Sequence, residues 1–185
     1  MKNEFPEYEY IEEPIYQWQN VGGHNLLDYF YKNPKRWGFS FELYVMLTKI
    51  NSLYNAAKSS KKIVILERSI LSDKIFFEIA HESKNLSTME YKMLLNTFDF
   101  YLEHLYPKIN CIIYLETDVN ICLERIKTRN RKEESKVEKS YILCLKNKLD
   151  YLIKFGKFNS MRIEGNFNLE KDLKEILGEI KKFIE

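Results

Sequence analysis

Residues 61–69 read KKIVILERS and residues 111–116 read CIIYLE. Each is a continuous apolar run ending in glutamate, with no alternation of polar and apolar positions. Strands covered on both faces read this way, which is the mark of a parallel sheet flanked by helices. Two shorter runs, Tyr8–Glu12 and Met161–Glu164, bring the predicted strands to four. The segments between them carry helical patterns over Pro34–Ala57, Ser69–His81, Ser87–Leu105, Val119–Arg129, Val137–Lys154 and Leu169–Phe183. Ser87 and Glu90 have capping-box spacing, and Asp118 is placed to cap the helix after the third strand. Strand and helix alternate along the chain. The expected fold is therefore α/β, a doubly wound parallel sheet with helices on both faces, in a single domain over residues 1–185.

Composition narrows the function. A chain of 185 residues that is 45% hydrophobic and 15% aromatic can bury a sizeable core. Its 29 basic and 27 acidic residues nearly cancel to +2, so no broad footprint for nucleic acid is expected. No apolar run has membrane-spanning length, and the first residues carry no signal-peptide pattern, so a cytoplasmic protein is expected. Cys111, Cys122 and Cys144 lack paired or metal-like spacing and read as reduced thiols. His24, His81 and His104 are scattered.

Arginine is sparse and local: three of the six, Arg125, Arg129 and Arg131, fall within seven residues. Guanidinium forks suit phosphate better than lysine does. Other candidates lie near strand ends, where this architecture places its sites. Glu13 and Trp18 follow the first strand; Glu67, Arg68 and Ser69 end the second. Each piece alone has a plain structural reading: a glutamate on a solvated rim, a tryptophan in the core, a charged helix end with i,i+4 pairs. Their order and spacing together carry the signal.

Taken together, E-P-x-x-x-W (13–18), N-L-L (25–27), Y-x-x-P-x-R-W (31–37), F-x-x-Y-V (41–45), E-R-S (67–69) and R-x-x-x-R-x-R-x-E-E (125–134) resemble the deoxyribonucleoside kinase family. The resemblance runs from about Tyr10 to Tyr151. It implies transfer of the ATP γ-phosphoryl group, with Mg²⁺, to the 5′-hydroxyl of a deoxyribonucleoside, in a homodimer. By the same resemblance Glu13 accepts the hydroxyl proton, Arg68 holds that hydroxyl and Glu13, and Glu67 belongs to the magnesium shell. Tyr31 and Glu134 would grip the sugar 3′-hydroxyl. Trp18 and Phe77 would pack around the base, with Phe77 as the stacking face. Arg125, Arg129 and Arg131 would form the lid over the phosphates. Asp73 and Lys49 match an acid–base pair of the deoxycytidine-type members, whereas Val45 is thymidine-like.

Two departures stand out. The family usually has Gln where Glu42 stands. An ionised carboxylate only accepts hydrogen bonds, so Glu42 would suit guanine and oppose the acceptors of the other bases. Alternatively it pairs with Lys49, two turns along the helix. If Glu42 reads guanine, Glu42→Gln is expected to weaken deoxyguanosine binding relative to other nucleosides, as calorimetry would measure.

The second departure concerns the phosphate loop. The family's G-x-x-x-x-G-K-[ST] loop cradles phosphates on backbone N–H groups. Glycines stand here at 22, 23, 38, 156, 165 and 178, none with that spacing. The expectation is a chain that lacks the first, central strand of a 2-3-1-4-5 sheet together with its loop, Lys2–Pro6 being the tail of the next helix. About five orphaned backbone groups at roughly 1–3 kcal/mol each would then threaten folding. The expected function is deoxynucleoside kinase, from a natural protein longer than this, with little transfer by the polypeptide as given. The alternatives are a non-catalytic nucleoside-binding or dimer-partner relative, or an interaction module on the same fold.

Overall fold

Tyr10 and Ile65 sit side by side in a parallel ladder that organises the first part of the protein. In the computed structural model this ladder joins β1 (Glu9–Ile11) to the strand at Val64–Leu66, in the register Glu9 with Val64 and Ile11 with Leu66. The structure describes residues 5–56, 58, 61, 63–104, 109–166 and 169–184, with no side chains for 169–173. These residues fall into two compact units, 1–107 and 108–185.

In the first unit β1 leads into α1 (Ile15–Gln19) and α2 (Leu26–Lys32), then α3 (Pro34–Ala56), β2 (Val64–Leu66), α4 (Ile70–Glu82) and α5 (Thr88–His104). The helices α1 and α2 go beyond the sequence expectation. They are short, and α2 has a side-chain cap: Asn25 Oδ1 accepts from the Asp28 N–H at 2.9 Å. Between them Gly22 and Gly23 turn the chain at positive φ (58° and 89°), which lets Val21 and His24 bridge.

Pro34 occupies the first position of α3, where its missing N–H costs nothing. This 23-residue helix buries two sides. One packs with Trp18, Leu26 and Leu27 through Phe41 and Val45. The other places Met46 among Ile70, Phe77, Ala80, Leu86, Leu94 and Phe98. Helix α5 begins at the predicted capping box: Ser87 Oγ accepts from the Glu90 N–H, and Glu90 Oε2 accepts from the Ser87 N–H.

The second unit runs β3 (Ile112–Glu116), α6 (Val119–Arg129), a 3₁₀ turn (Lys132–Lys136), α7 (Lys139–Phe155), β4 (Ser160–Glu164) and α8 (Leu169–Ile184). β3 and β4 pair in parallel over five residues each, from Ile112 with Ser160 to Glu116 with Glu164. Asp118 caps α6 as expected, its Oδ1 accepting from the Asn120 N–H at 2.7 Å. A Cβ on Gly165 would collide with Thr117 Oγ1, so the loop after β4 can approach the loop after β3 only with glycine there.

The fold is thus a largely helical α/β arrangement with parallel strands. Among the described residues β2 pairs only with β1 and β3 only with β4. The predicted strands and long helices are present with shifted ends; the expected endpoints Ala57 and Leu105, and residues 2–4 of the expected helix tail, lie outside the described residues. No described helix is long and apolar enough to cross a membrane. Phe77, with no exposed surface, anchors the α3–α4–α5 core. Phe77→Ala should cost about 3–5 kcal/mol in urea unfolding. A loss below about 1 kcal/mol would show that this core does not carry the unit.

Candidate functional site

The parallel register of β1 and β2 sets the site's first unit. Their carboxyl ends lie side by side, so the residues just beyond them, Glu13 and the Glu67–Arg68 pair, emerge at one edge. Two hydrogen bonds tie this edge together. The Glu67 N–H donates to the Ile11 carbonyl at 2.8 Å, and the Glu13 N–H donates to Glu67 Oε2 at 3.4 Å. Arg68 takes the left-handed conformation, φ 61°, which is unfavourable for a side-chain-bearing residue. Ser69 then caps α4, its Oγ accepting from the Leu71 N–H. The Arg68 guanidinium lies 3.7 Å from Glu13 Oε1 and 5.5 Å from the Phe76 ring centre.

Lys49 is the hub. It stands on the buried side of α3, and its Nζ lies 2.5 Å from Asp73 Oδ1 and 3.3 Å from Glu13 Oε1. The same ammonium is 5.9 Å from the Trp18 ring centre. Trp18 is itself fixed: its Nε1–H donates to Thr48 Oγ1 at 2.8 Å, and its ring meets Phe41 edge-on at 5.8 Å. Lys49 thus pairs with Asp73, as the resemblance implied, and not with Glu42, which forms no ion pair with it among the described residues. Sequence reading noticed Lys49 as half of an acid–base pair but missed its contact with Glu13. It also missed Thr48 altogether. The available signal was a lysine seven residues after Glu42, two turns along the same helix.

Two carboxylates contact this cation, and a third buried acid, Glu42, lies within range of its charge. Asp73 is 1% exposed, and its Oδ2 has no hydrogen-bond partner among the described residues. Burial raises its pKa to about 6 despite the opposing pull of Lys49. Glu42 is 4% exposed. Burial first, and then the neighbouring Asp73 charge, push its pKa up to about 8. Burial and the neighbouring Asp73 thus work against the ionised form of Glu42 that the letter alone implies. Phe77 and Trp18 are both buried, Phe77 completely, in the two apolar clusters beside α3. Tyr31 packs at the edge of the Trp18 cluster.

The second unit gathers the other candidates. Helix α6 ends with Asn130 in the left-handed conformation, a common helix stop. That turn brings Arg129 and Arg131 onto one buried carboxylate. Arg129 donates to Glu134 Oε2 at 2.5 Å and Arg131 to Oε1 at 2.6 Å. Glu134 is thereby held by two guanidinium groups, a charge-assisted arrangement. Arg125 instead donates to the Gly165 carbonyl at 2.8 Å. The family resemblance implies a phosphate lid for all three arginines. In this structure two of them clasp Glu134 and the third clasps a backbone oxygen.

A family model for deoxynucleoside kinases matches residues 1–185. The chain belongs to the deoxynucleoside kinase family. Among curated proteins it is similar to a probable deoxycytidine kinase of fowlpox virus (strain NVSL), 35% identical over 142 residues, covering 76% of this chain and 59% of that protein. It is 32% identical over 171 residues to human mitochondrial thymidine kinase 2, covering 89% of this chain and 64% of the relative. Human deoxycytidine kinase is 25% identical over 214 residues, with 96% and 81% covered. The chain thus spans about three-fifths of the first two relatives.

The raised Glu42 and Asp73 pKa values carry a stability consequence. A buried acid whose pKa is higher folded than unfolded stabilises the fold most below its unfolded pKa, and that contribution is lost as pH rises through the folded value. For Glu42 the window runs from 4.5 to about 8. Glu42→Gln removes this term. Relative to the parent, the variant should gain on the order of 3–4 kcal/mol between pH 5 and pH 8 in urea unfolding. A difference that stays constant over that range would rule out a raised Glu42.

Proposed function

We propose that this chain supplies the nucleoside-binding and proton-accepting side of a deoxynucleoside kinase, which transfers the γ-phosphoryl group of ATP to the 5′-hydroxyl of a deoxyribonucleoside. The observation that carries this reading is the cluster of Glu13, Lys49, Arg68 and Asp73 at the carboxyl ends of parallel strands. Glu13 is the proton acceptor. A carboxylate held between two cations is fixed in place, and general bases work by position as much as by basicity. Arg68 orients Glu13 and the hydroxyl beside it. In the first unit Trp18, Glu42, Asp73 and Phe77 are the base-side residues and Tyr31 is a sugar contact; in the second, Glu134 is the residue proposed for the sugar. Arg125, Arg129 and Arg131 neutralise phosphate charge once released from their present partners.

ATP, when bound, supplies the phosphoryl group. The donor set suits magnesium that arrives with ATP better than a resident ion. No group of three potential metal-ligating side chains is found among the described residues, and magnesium in such sites takes one or two carboxylates plus phosphates and water. Glu67 is the proposed carboxylate. A homodimer is also proposed, supported by exposed Met89, Met93 and Phe100 along α5. The three free cysteines suit a reducing compartment, and the cytoplasm is the proposed location.

The test is binding first and transfer second. At a hundredfold excess over its Kd, at least one deoxynucleoside should stabilise the folded chain by about 2.7 kcal/mol in thermal unfolding. Any transfer of labelled phosphate from ATP should fall about 10²–10⁴-fold in Glu13→Gln. A folded sample that none of the four deoxynucleosides stabilises would refute the reading.

A further inference from the structure

Glu42 and Asp73 are buried acids of one cluster whose hydrogen-bonding capacity is unmet from within. Asp73 Oδ2 is sealed and has no partner among the described residues. Glu42 is 4% exposed, and no hydrogen bond or ion pair to its carboxyl is formed among the described residues. Buried polar groups in folded proteins are normally paired, so two unmet acids that feel one another's charge point to a ligand that completes them. We infer that Glu42 meets the nucleobase as a neutral carboxylic acid, its O–H donating to a base acceptor and its carbonyl oxygen accepting an adjacent base N–H. This deepens the nucleoside-binding reading and rests on it.

The charges around Glu42 explain why it keeps its proton. On its own helix α3, Lys49 is committed to Asp73 and Glu13, at 2.5 and 3.3 Å. From α4, Asp73 adds negative charge. From the segment after β1 comes Glu13, and from the end of β2 the half-exposed Arg68, which faces Glu13. Glu42 is left without a cation of its own in a site shielded from water. An unpaired buried charge is costly, and holding the proton avoids it.

A neutral acid offers one donor and one acceptor side by side, as a side-chain amide does. It can therefore pair with cytosine and adenine, which present a ring acceptor beside an amino group, and equally with the mixed edges of thymine and guanine. The ionised form keeps only acceptors and suits only the paired N–H groups of guanine. The guanine preference expected from sequence thus belongs to the deprotonated protein alone. Base choice in this chain is gated by pH, unlike that of a site carrying an amide.

Calorimetry on the full chain tests this with deoxycytidine and deoxyadenosine, neither of which titrates between pH 7 and pH 9. With Glu42 titrating at about 8, the parent should bind both about tenfold more weakly at pH 9 than at pH 7. Glu42→Gln should change less than about twofold over the same range. Equal parent affinity at both pH values, or the same tenfold loss in Glu42→Gln, would overturn the inference while leaving nucleoside binding intact. Failure of parent and variant to bind any of the four deoxynucleosides would overturn the nucleoside reading itself. A second measurement needs no variant: infrared spectra of the parent labelled with ¹³C at glutamate carboxyls. A protonated-carboxyl band at pH 7 that fades near pH 8 and shifts on adding deoxycytidine is expected; no such band at pH 7 would reject the neutral acid.

Discussion

One buried ammonium organises the first unit. Lys49 reaches Asp73 from the inside and Glu13 from the strand edge, so it couples a helix–helix seam to the candidate reaction centre. Burying ions is expensive, and Coulomb attraction offsets the cost only with good geometry. Here that geometry comes from α3. Lys49, Glu42 and Thr48 all lie on its buried side, between the Trp18 cluster and the Phe77 cluster. A helix with a single apolar stripe could not hold polar groups in such a place. Because α3 is covered on two sides, polar groups at the seam are fixed by neighbours, and each must find a partner or change its protonation.

The second unit solves a related problem differently. Glu134, 8% exposed, is surrounded by an excess of positive charge, with two guanidinium groups on one carboxylate. Carboxylates outnumber the cation around Lys49, whereas guanidinium groups outnumber the acid around Glu134. The first imbalance favours retaining a proton. The second leaves a net positive group on a short turn, the charge state suited to meeting an anion.

Much of this architecture was legible in the sequence, and the reasons for success and failure are physical. β2 and β3 were readable as strands because each is a short continuous apolar run closed by glutamate; the expected cover on both faces is not met among the described residues, where both strands are only partly buried and Leu115 is 48% exposed. Helix α6 has the expected bounds Val119–Arg129 and its expected cap Asp118, and the structure adds the left-handed Asn130 that stops it. The helices α1 and α2 were missed because five and seven residues are too few for a hydrophobic period to emerge. In the candidate site, the family resemblance pointed to Glu13, Arg68, Asp73 and Glu134 but not to how they share partners. Glu42 shows why. Its letter implies a negative charge, whereas burial beside another acid, visible only in three dimensions, raises its pKa. The contact between Lys49 and Glu13, far apart in the chain, leaves no local signature.

Arg68 shows what the motif letters leave out. Its backbone adopts a left-handed conformation that costs roughly 1–2 kcal/mol for a residue with a side chain. Nothing in Glu67-Arg68-Ser69 itself favours that shape. It is held by the neighbouring ladder, the cap on α4 and the carboxylate of Glu13. The tripeptide is therefore not portable. Grafted onto another strand–helix junction, it would relax to ordinary backbone angles and turn its guanidinium elsewhere. In diverging descendants of this fold the three letters can outlive the geometry, and inheritance of the motif is then no guarantee of inheritance of the site.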